Sequence, residues 1–294
     1  MNYIFSVKGI EELISKFFGK SLHRSAAALS YFLTMTIFPT LICIQWLLGT
    51  LGEDILTFLE DFSELIPASA LEVFEEYLSY TGTHSAALLS IGIIMSIYTG
   101  SSAYRMLFDL MRGIFKSSGG NSVARFLLSF VWAGFFLVFI YICATVMLAG
   151  RWLTKVLTPF FEKISFINLI DLAQLWSWFR FILLITISIG MLFIIYYTAQ
   201  WHSPYKSHVL PGAVTASLLL TVVSFIFSEF ISISVNYSLI YGSLASVIIL
   251  MFWLYLLGNI IIIGALINQS LNEHSGDPSV KFHSDVKKFI KGKD

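Results

Sequence analysis

The chain has 294 residues, 57% of them hydrophobic and 12% charged, about half the ~25% charged content of soluble domains. Eighteen basic and 18 acidic residues are too few to cover a water-soluble fold of this length, which excludes an ordinary soluble enzyme and favours an all-α, polytopic membrane helix bundle. The net charge of zero hides a segregation of the two signs along the chain.

Residues 1–24 read as a cytoplasmic amphipathic helix. Ile10, Leu13, Ile14, Phe17 and Phe18 recur at helical spacing opposite Glu12, Lys16 and Lys20. No continuous apolar core or small-residue cleavage site marks this stretch as a cleavable signal. A membrane span needs about 20 mainly apolar residues. Six segments within a membrane domain of 25–270 qualify: 25–48, 84–104, 123–149, 174–198, 209–235 and 242–268. A hydrophilic cytoplasmic tail, 271–294, follows.

The first span places Pro39 deep in an apolar run. Proline has no N–H and crowds the carbonyl four residues back, here Met35, which in lipid must find another partner. Thr34 and Thr36 are the nearby hydroxyls. A packing kink and a break lining a polar cavity both fit this pattern. Ala26, Ser30 and Thr34 recur every fourth residue, as do Gly92, Ser96 and Gly100 in the second span. Small residues at that spacing predict close helix–helix contacts. Cys43 and Cys143 lie inside apolar runs and read as inert thiols.

The first outer segment, 51–83, carries eight acidic residues, Glu53 to Glu76, and no Lys or Arg. The second, 150–173, carries Arg151, Lys155 and Lys163. Apolar stripes Leu71–Phe74–Tyr77–Leu78 and Trp152–Val156–Phe160 predict short interfacial helices there, with Pro67 and Pro159 as local breakers. All but four of the 18 basic residues fall on the other side, in the N-terminus, the 105–125 link, Lys206 and the tail. The exceptions are Arg151, Lys155, Lys163 and Arg180. With six spans, this bias predicts a multi-pass protein of the bacterial cytoplasmic membrane with both termini cytoplasmic.

Polar groups at membrane depth are the candidate site. Arg180 and Glu229 stand at similar depth near the outer ends of consecutive spans, where they would pair across a polar cavity, form a structural pair, or snorkel outward. Asn259 stands near the middle of the last span and is expected to bond a neighbouring helix. With Pro39 these form the expected cavity set. On the cytoplasmic side, Arg105 and Asp109 are four residues apart and are expected to pair along one helix face.

Several segments together resemble the YihY/virulence factor BrkB family of bacterial inner-membrane proteins, whose older label is ribonuclease BN. They are "AAALSYFLTMTIFPTLI" in the first span, "HVLPGAVTASLLL" opening the fifth, and "YGSLASVIILMFWLYLLGNIIIIGALIN" in the sixth. The resemblance covers about residues 10–270. It implies six spans and the bacterial cytoplasmic membrane and brings no settled activity. This chain departs from the pattern at Leu266, where the family often has an acid, and in "WHSPYKSH", which lacks the family's arginine.

No histidine pair, phosphate loop or nucleophile motif is present, so neither catalytic residues, a metal nor a cofactor is expected. The basic residues are too dispersed for a nucleic-acid surface. The leading expectation is a transporter-like or lipid-handling protein with membrane lipids as partners and a lipid or small molecule as substrate. A scaffold without transport is the second reading, and an enzyme, including a ribonuclease, the third. Assembly as a homo-oligomer stays open.

Overall fold

The computed structural model describes residues 7–19, 22–50, 66–81, 86–117, 122–161, 169–200, 209–233 and 244–274. All regular structure among them is helical: α1 (Val7–Gly19), α2 (Leu22–Thr50), α3 (Ala68–Thr81), α4 (Ala86–Ile114), α5 (Ser122–Phe161), α6 (Leu169–Ala199), α7 (Leu210–Ile233) and α8 (Leu244–His274). Six of these, all but α1 and α3, are long and apolar enough to cross a bilayer. Large apolar side chains cover their outer faces; Ile94 and Val131 are each 66% exposed. In water such a surface would drive aggregation, whereas against lipid tails it carries no penalty.

The spans pack in the order α5–α4–α2–α8–α7–α6, and the two ends of this row, α5 and α6, touch only lightly. The small-residue stripes explain the first contacts. Gly92 on α4 faces Ile42 and Cys43 of α2, Gly100 approaches Thr36, and the Thr40 hydroxyl reaches Ser96 at 3.4 Å. From the stripe on α2, Ala26 packs against Gly258 of α8 instead.

The tightest crossing joins α7 to α8. A Cβ on Gly212 would collide with the carbonyl of Gly264 and the Asn268 side chain, and one on Gly264 would lie 2.7 Å from the Ala216 Cβ. Asn268, fully buried, accepts from the Gly212 N–H (2.7 Å) and donates to the Val209 carbonyl (2.9 Å). It thus satisfies an orphan donor in the first turn of α7. Tyr196 of α6, also buried, donates to the Ile261 carbonyl at 2.7 Å. These bonds explain why α8 continues past residue 268: its last turns, polar in sequence, are buried at Asn268, Gln269, Ser270 and Asn272.

The end of the bundle that carries α1 is its basic end. There Lys16 of α1 bonds Glu12 (2.6 Å) and Glu273 of α8 (2.7 Å), and Lys116, just past α4, bonds Glu273 at 2.9 Å. Burial works against the Lys16 ammonium, but the two carboxylates outweigh it and raise its pKa above the usual lysine value. Lys116 reaches Glu273 from a left-handed backbone position, φ 52°.

At the other end α3 lays Ala70, Val73, Phe74 and Leu78 onto α2 and α8, with Glu72, Glu75 and Glu76 exposed. Pro67 immediately precedes α3, its carbonyl accepting from the Ala70 and Leu71 N–H groups. Pro159 does not act as the expected breaker. α5 runs through it to Phe161 as one 40-residue helix, so the separate short helix expected around 152–160 is the continuation of a span. Its length, about 60 Å at 1.5 Å per residue, is twice the hydrocarbon thickness.

Candidate functional site

The residues expected to share a polar cavity are spread over the bundle. Pro39 lies inside a continuous α2. The hydroxyls of Thr34, Thr36 and Thr40 bond the carbonyls of Ser30, Phe32 and Thr36 rather than that of Met35. Among the described residues Asn259 makes no bond to a neighbouring helix. Its Nδ2 donates to the Tyr255 carbonyl one turn back on α8, at 2.7 Å; a carbonyl in its own helix is the nearer acceptor. It sits at the level of Ala26, whose contact with Gly258 fixes the register, about 20 Å along α2 from Pro39. Glu229 is exposed near the far end of α7. Arg180 belongs to α6, but its side chain is outside the described residues, as is its pairing with Glu229.

The structure instead encloses an apolar cavity of about 300 Å³ between α2, α4, α5 and α6. Leu29, Leu33 and Thr36 line it from α2, Tyr104 and Leu107 from α4, Trp132, Phe136 and Phe139 from α5, and Gly190, Met191 and Ile194 from α6. Its volume is at the lower end of small-molecule sites. The lining runs about 10–12 Å along each helix. Its mouth is at the bundle surface, since Phe135 and Ile194 line it and are also exposed. The cause is local: Gly190 leaves open space where a side chain would stand, at the seam where α5 and α6 barely meet.

A second cavity of about 290 Å³ adjoins it toward the basic end, lined by Tyr104, Arg105, Phe108, Asp109, Ser122, Arg125, Phe126 and Leu128. Tyr104 belongs to both. Its ring stacks on Trp132 (5.6 Å, 13°) and on Phe108 (5.5 Å, 20°), so an aromatic wall runs from one cavity to the other.

Arg105 does not pair with Asp109. Its Nη1 donates to Ser101 (3.1 Å) and Ser129 (2.9 Å), and its Nη2 to Ser102 (2.8 Å). The guanidinium lies 4.9 Å from the centre of the Phe126 ring and 5.8 Å from that of Phe130. Each serine donates its own proton to a backbone carbonyl, Ser101 and Ser102 to Tyr98 and Ser129 to Phe126, which leaves oxygen lone pairs for the arginine. Asp109 pairs with Arg125 of α5 at 3.4 Å. The expected local pair fails because α5 offers Arg105 an aromatic face and a hydroxyl, and offers Asp109 a better-placed cation. Ser101 and Ser102 were legible at helical spacing from Arg105; Ser129, Phe126 and Trp132 required knowledge of which helix stands beside α4.

A family model described as "Virulence factor BrkB" matches residues 13–288. A "putative ribonuclease-like protein YfkH" of Bacillus subtilis (strain 168) is 28% identical over 274 residues, 92% of this chain and 97% of its own. A UPF0761 membrane protein of Aromatoleum aromaticum is 27% identical over 88% of this chain, and one of Teredinibacter turnerae 26% identical over 94%. The matches span 62% and 63% of those two longer proteins. No solved structure matches.

Proposed function

This chain belongs to the BrkB virulence-factor family and is a multi-pass membrane protein; from that premise we propose that it handles lipid, in a transporter-like way, by admitting an apolar chain from the bilayer between α5 and α6. The observation that carries this reading is the apolar cavity behind that seam. Among the described residues Tyr104 is the only titratable side chain in its lining, which suits binding of a hydrocarbon chain better than acid–base chemistry. The ribonuclease-like name of the Bacillus relative therefore ranks below lipid handling for this protein. The Lys and Arg bias supports an orientation with α1 and the C-terminal tail in the bacterial cytoplasm.

The test is photocrosslinking of the purified protein with a phospholipid bearing a diazirine in its acyl chain, followed by peptide mapping. Adducts are expected on the cavity faces of α5 and α6, and Gly190→Leu, which fills the cavity, is expected to remove them. Adducts distributed evenly over the lipid-facing surface, and unchanged in Gly190→Leu, would reject the reading. The scaffold reading would then take its place, with Glu72, Glu75 and Glu76 of α3 as the exposed contact row.

A further inference from the structure

We infer that the cavity around Arg105 is a binding site for the phosphate of an anionic lipid headgroup, whose acyl chain enters the apolar cavity beyond Tyr104. The inference rests on the lipid-handling reading and specifies its ligand.

The charge of Arg105 is the starting point. Its three side-chain partners are neutral hydroxyls, and among the described residues no carboxylate stands within ion-pair distance. Other basic side chains tied across the basic end have a carboxylate: Lys16 and Lys116 have Glu273, and Arg125 has Asp109. Arg105 also sits deep: its partner Ser129 is about 10 Å along α5 from Ser122, beside the lipid-exposed Phe126 and Leu127. An ionised side chain at that depth is costly unless an anion or water reaches it.

The site is also prepared for an anion. Three serines hold the guanidinium in one orientation, so little side-chain entropy remains to be lost on binding. Three of its five N–H donors are used, which leaves two for a ligand among the described residues. Arg125 lines the same cavity and has a buried Nε with no acceptor among the described residues. Its ion pair to Asp109 is long, 3.4 Å, with the aspartate side chain 66% exposed, so it is weakly held and screened. Two guanidiniums against one solvated carboxylate leave the cavity net positive. Arginine forks match phosphate oxygens in geometry as well as charge.

The pairing of the two cavities selects an amphiphile over a free anion. One is charged and lies nearer the basic end, the other apolar and directed toward the membrane middle. They meet at Tyr104, and the Phe108–Tyr104–Trp132 stack gives a continuous wall for the glycerol region and upper chain.

Native mass spectrometry of the protein in detergent, with equal phosphatidylglycerol and phosphatidylcholine of the same chains, tests this. Wild type is expected to retain phosphatidylglycerol about tenfold over phosphatidylcholine: both carry the phosphate, but the choline cation opposes the net positive charge of a cavity lined by Arg105, Arg125 and Asp109. Arg105→Gln is expected to bring that ratio close to one while leaving phosphatidylcholine bound, and Arg105→Lys to keep part of the preference. Gly190→Leu should remove both lipids. A preference that survives Arg105→Gln overturns the headgroup site and leaves the lipid-handling reading intact; a wild type that retains neither lipid overturns both. Glycerol phosphate in large excess should not displace phosphatidylglycerol. If it does so fully, the site takes a soluble phosphate and the lipid assignment is wrong.

Discussion

Gly212 on α7 and Gly190 on α6 are both glycines inside apolar spans, yet their surroundings are opposite. Around Gly212 a missing Cβ lets two backbones touch: the Gly264 carbonyl and the Asn268 side chain occupy the space, and Asn268 then bonds both Gly212 and Val209. Around Gly190 the missing Cβ leaves a void, and that void is part of the apolar cavity. One seam of the bundle is closed by glycine and the other is held open by it. In lipid no hydrophobic force draws helices together, so close backbone approach and buried hydrogen bonds decide which seams are tight.

The same substitution at the two positions should separate them most sharply. Gly212→Ala is expected to destabilise the protein by about 3 kcal/mol, the upper part of the usual cost of overpacking, seen as a lower melting temperature in detergent by intrinsic fluorescence. A melting temperature equal to wild type would mean that α7 and α8 can slide apart at little cost, and the contrast would collapse. Asn268→Ala should cost somewhat less, about 2 kcal/mol, because the buried Gly212 N–H loses its partner, while the Val209 carbonyl keeps the Ala213 N–H and the backbones stay in register. The readout is the same melt together with hydrogen exchange, in which the amides of the first turn of α7 should lose protection first. Gly190→Ala should have the smallest effect and the opposite sign. Its new methyl group meets nothing within 4 Å, so the helix gains up to about 1 kcal/mol of intrinsic propensity. A clear loss of stability there would show that the α5–α6 seam closes in solution.

The two ends of the bundle differ in a related way. At the basic end, carboxylates and ammonium groups from α1, the end of α4 and α8 meet at Glu273. At the opposite end α3 is held mainly by apolar contacts; its acids are exposed, with Glu72 accepting a long bond from the Ser246 hydroxyl of α8. Lys16 and Glu273 are 257 residues apart, and no spacing rule relates them. Arg105 and Asp109 are four apart, and the spacing rule that relates them was overridden. Helical spacing supplies only neighbours on one helix, and a helix packed alongside can supply better ones.

Hydrophobic run length alone determined that this is a helical membrane protein with six spans, because a bilayer sets a minimum apolar length and excludes lipid-exposed irregular backbone. Small-residue spacing likewise announced that α2 and α4 carry contact faces. Which helix each face would meet, and where packing would fail, depended on the spatial order α5–α4–α2–α8–α7–α6. Only that order brings Ser129 and Phe126 to Arg105, turns Asn259 back to its own helix, and leaves a cavity at Gly190. Side-chain partners across spans are set by helix rotation and register, and these come from the sum of many weak van der Waals contacts that no short stretch of sequence encodes.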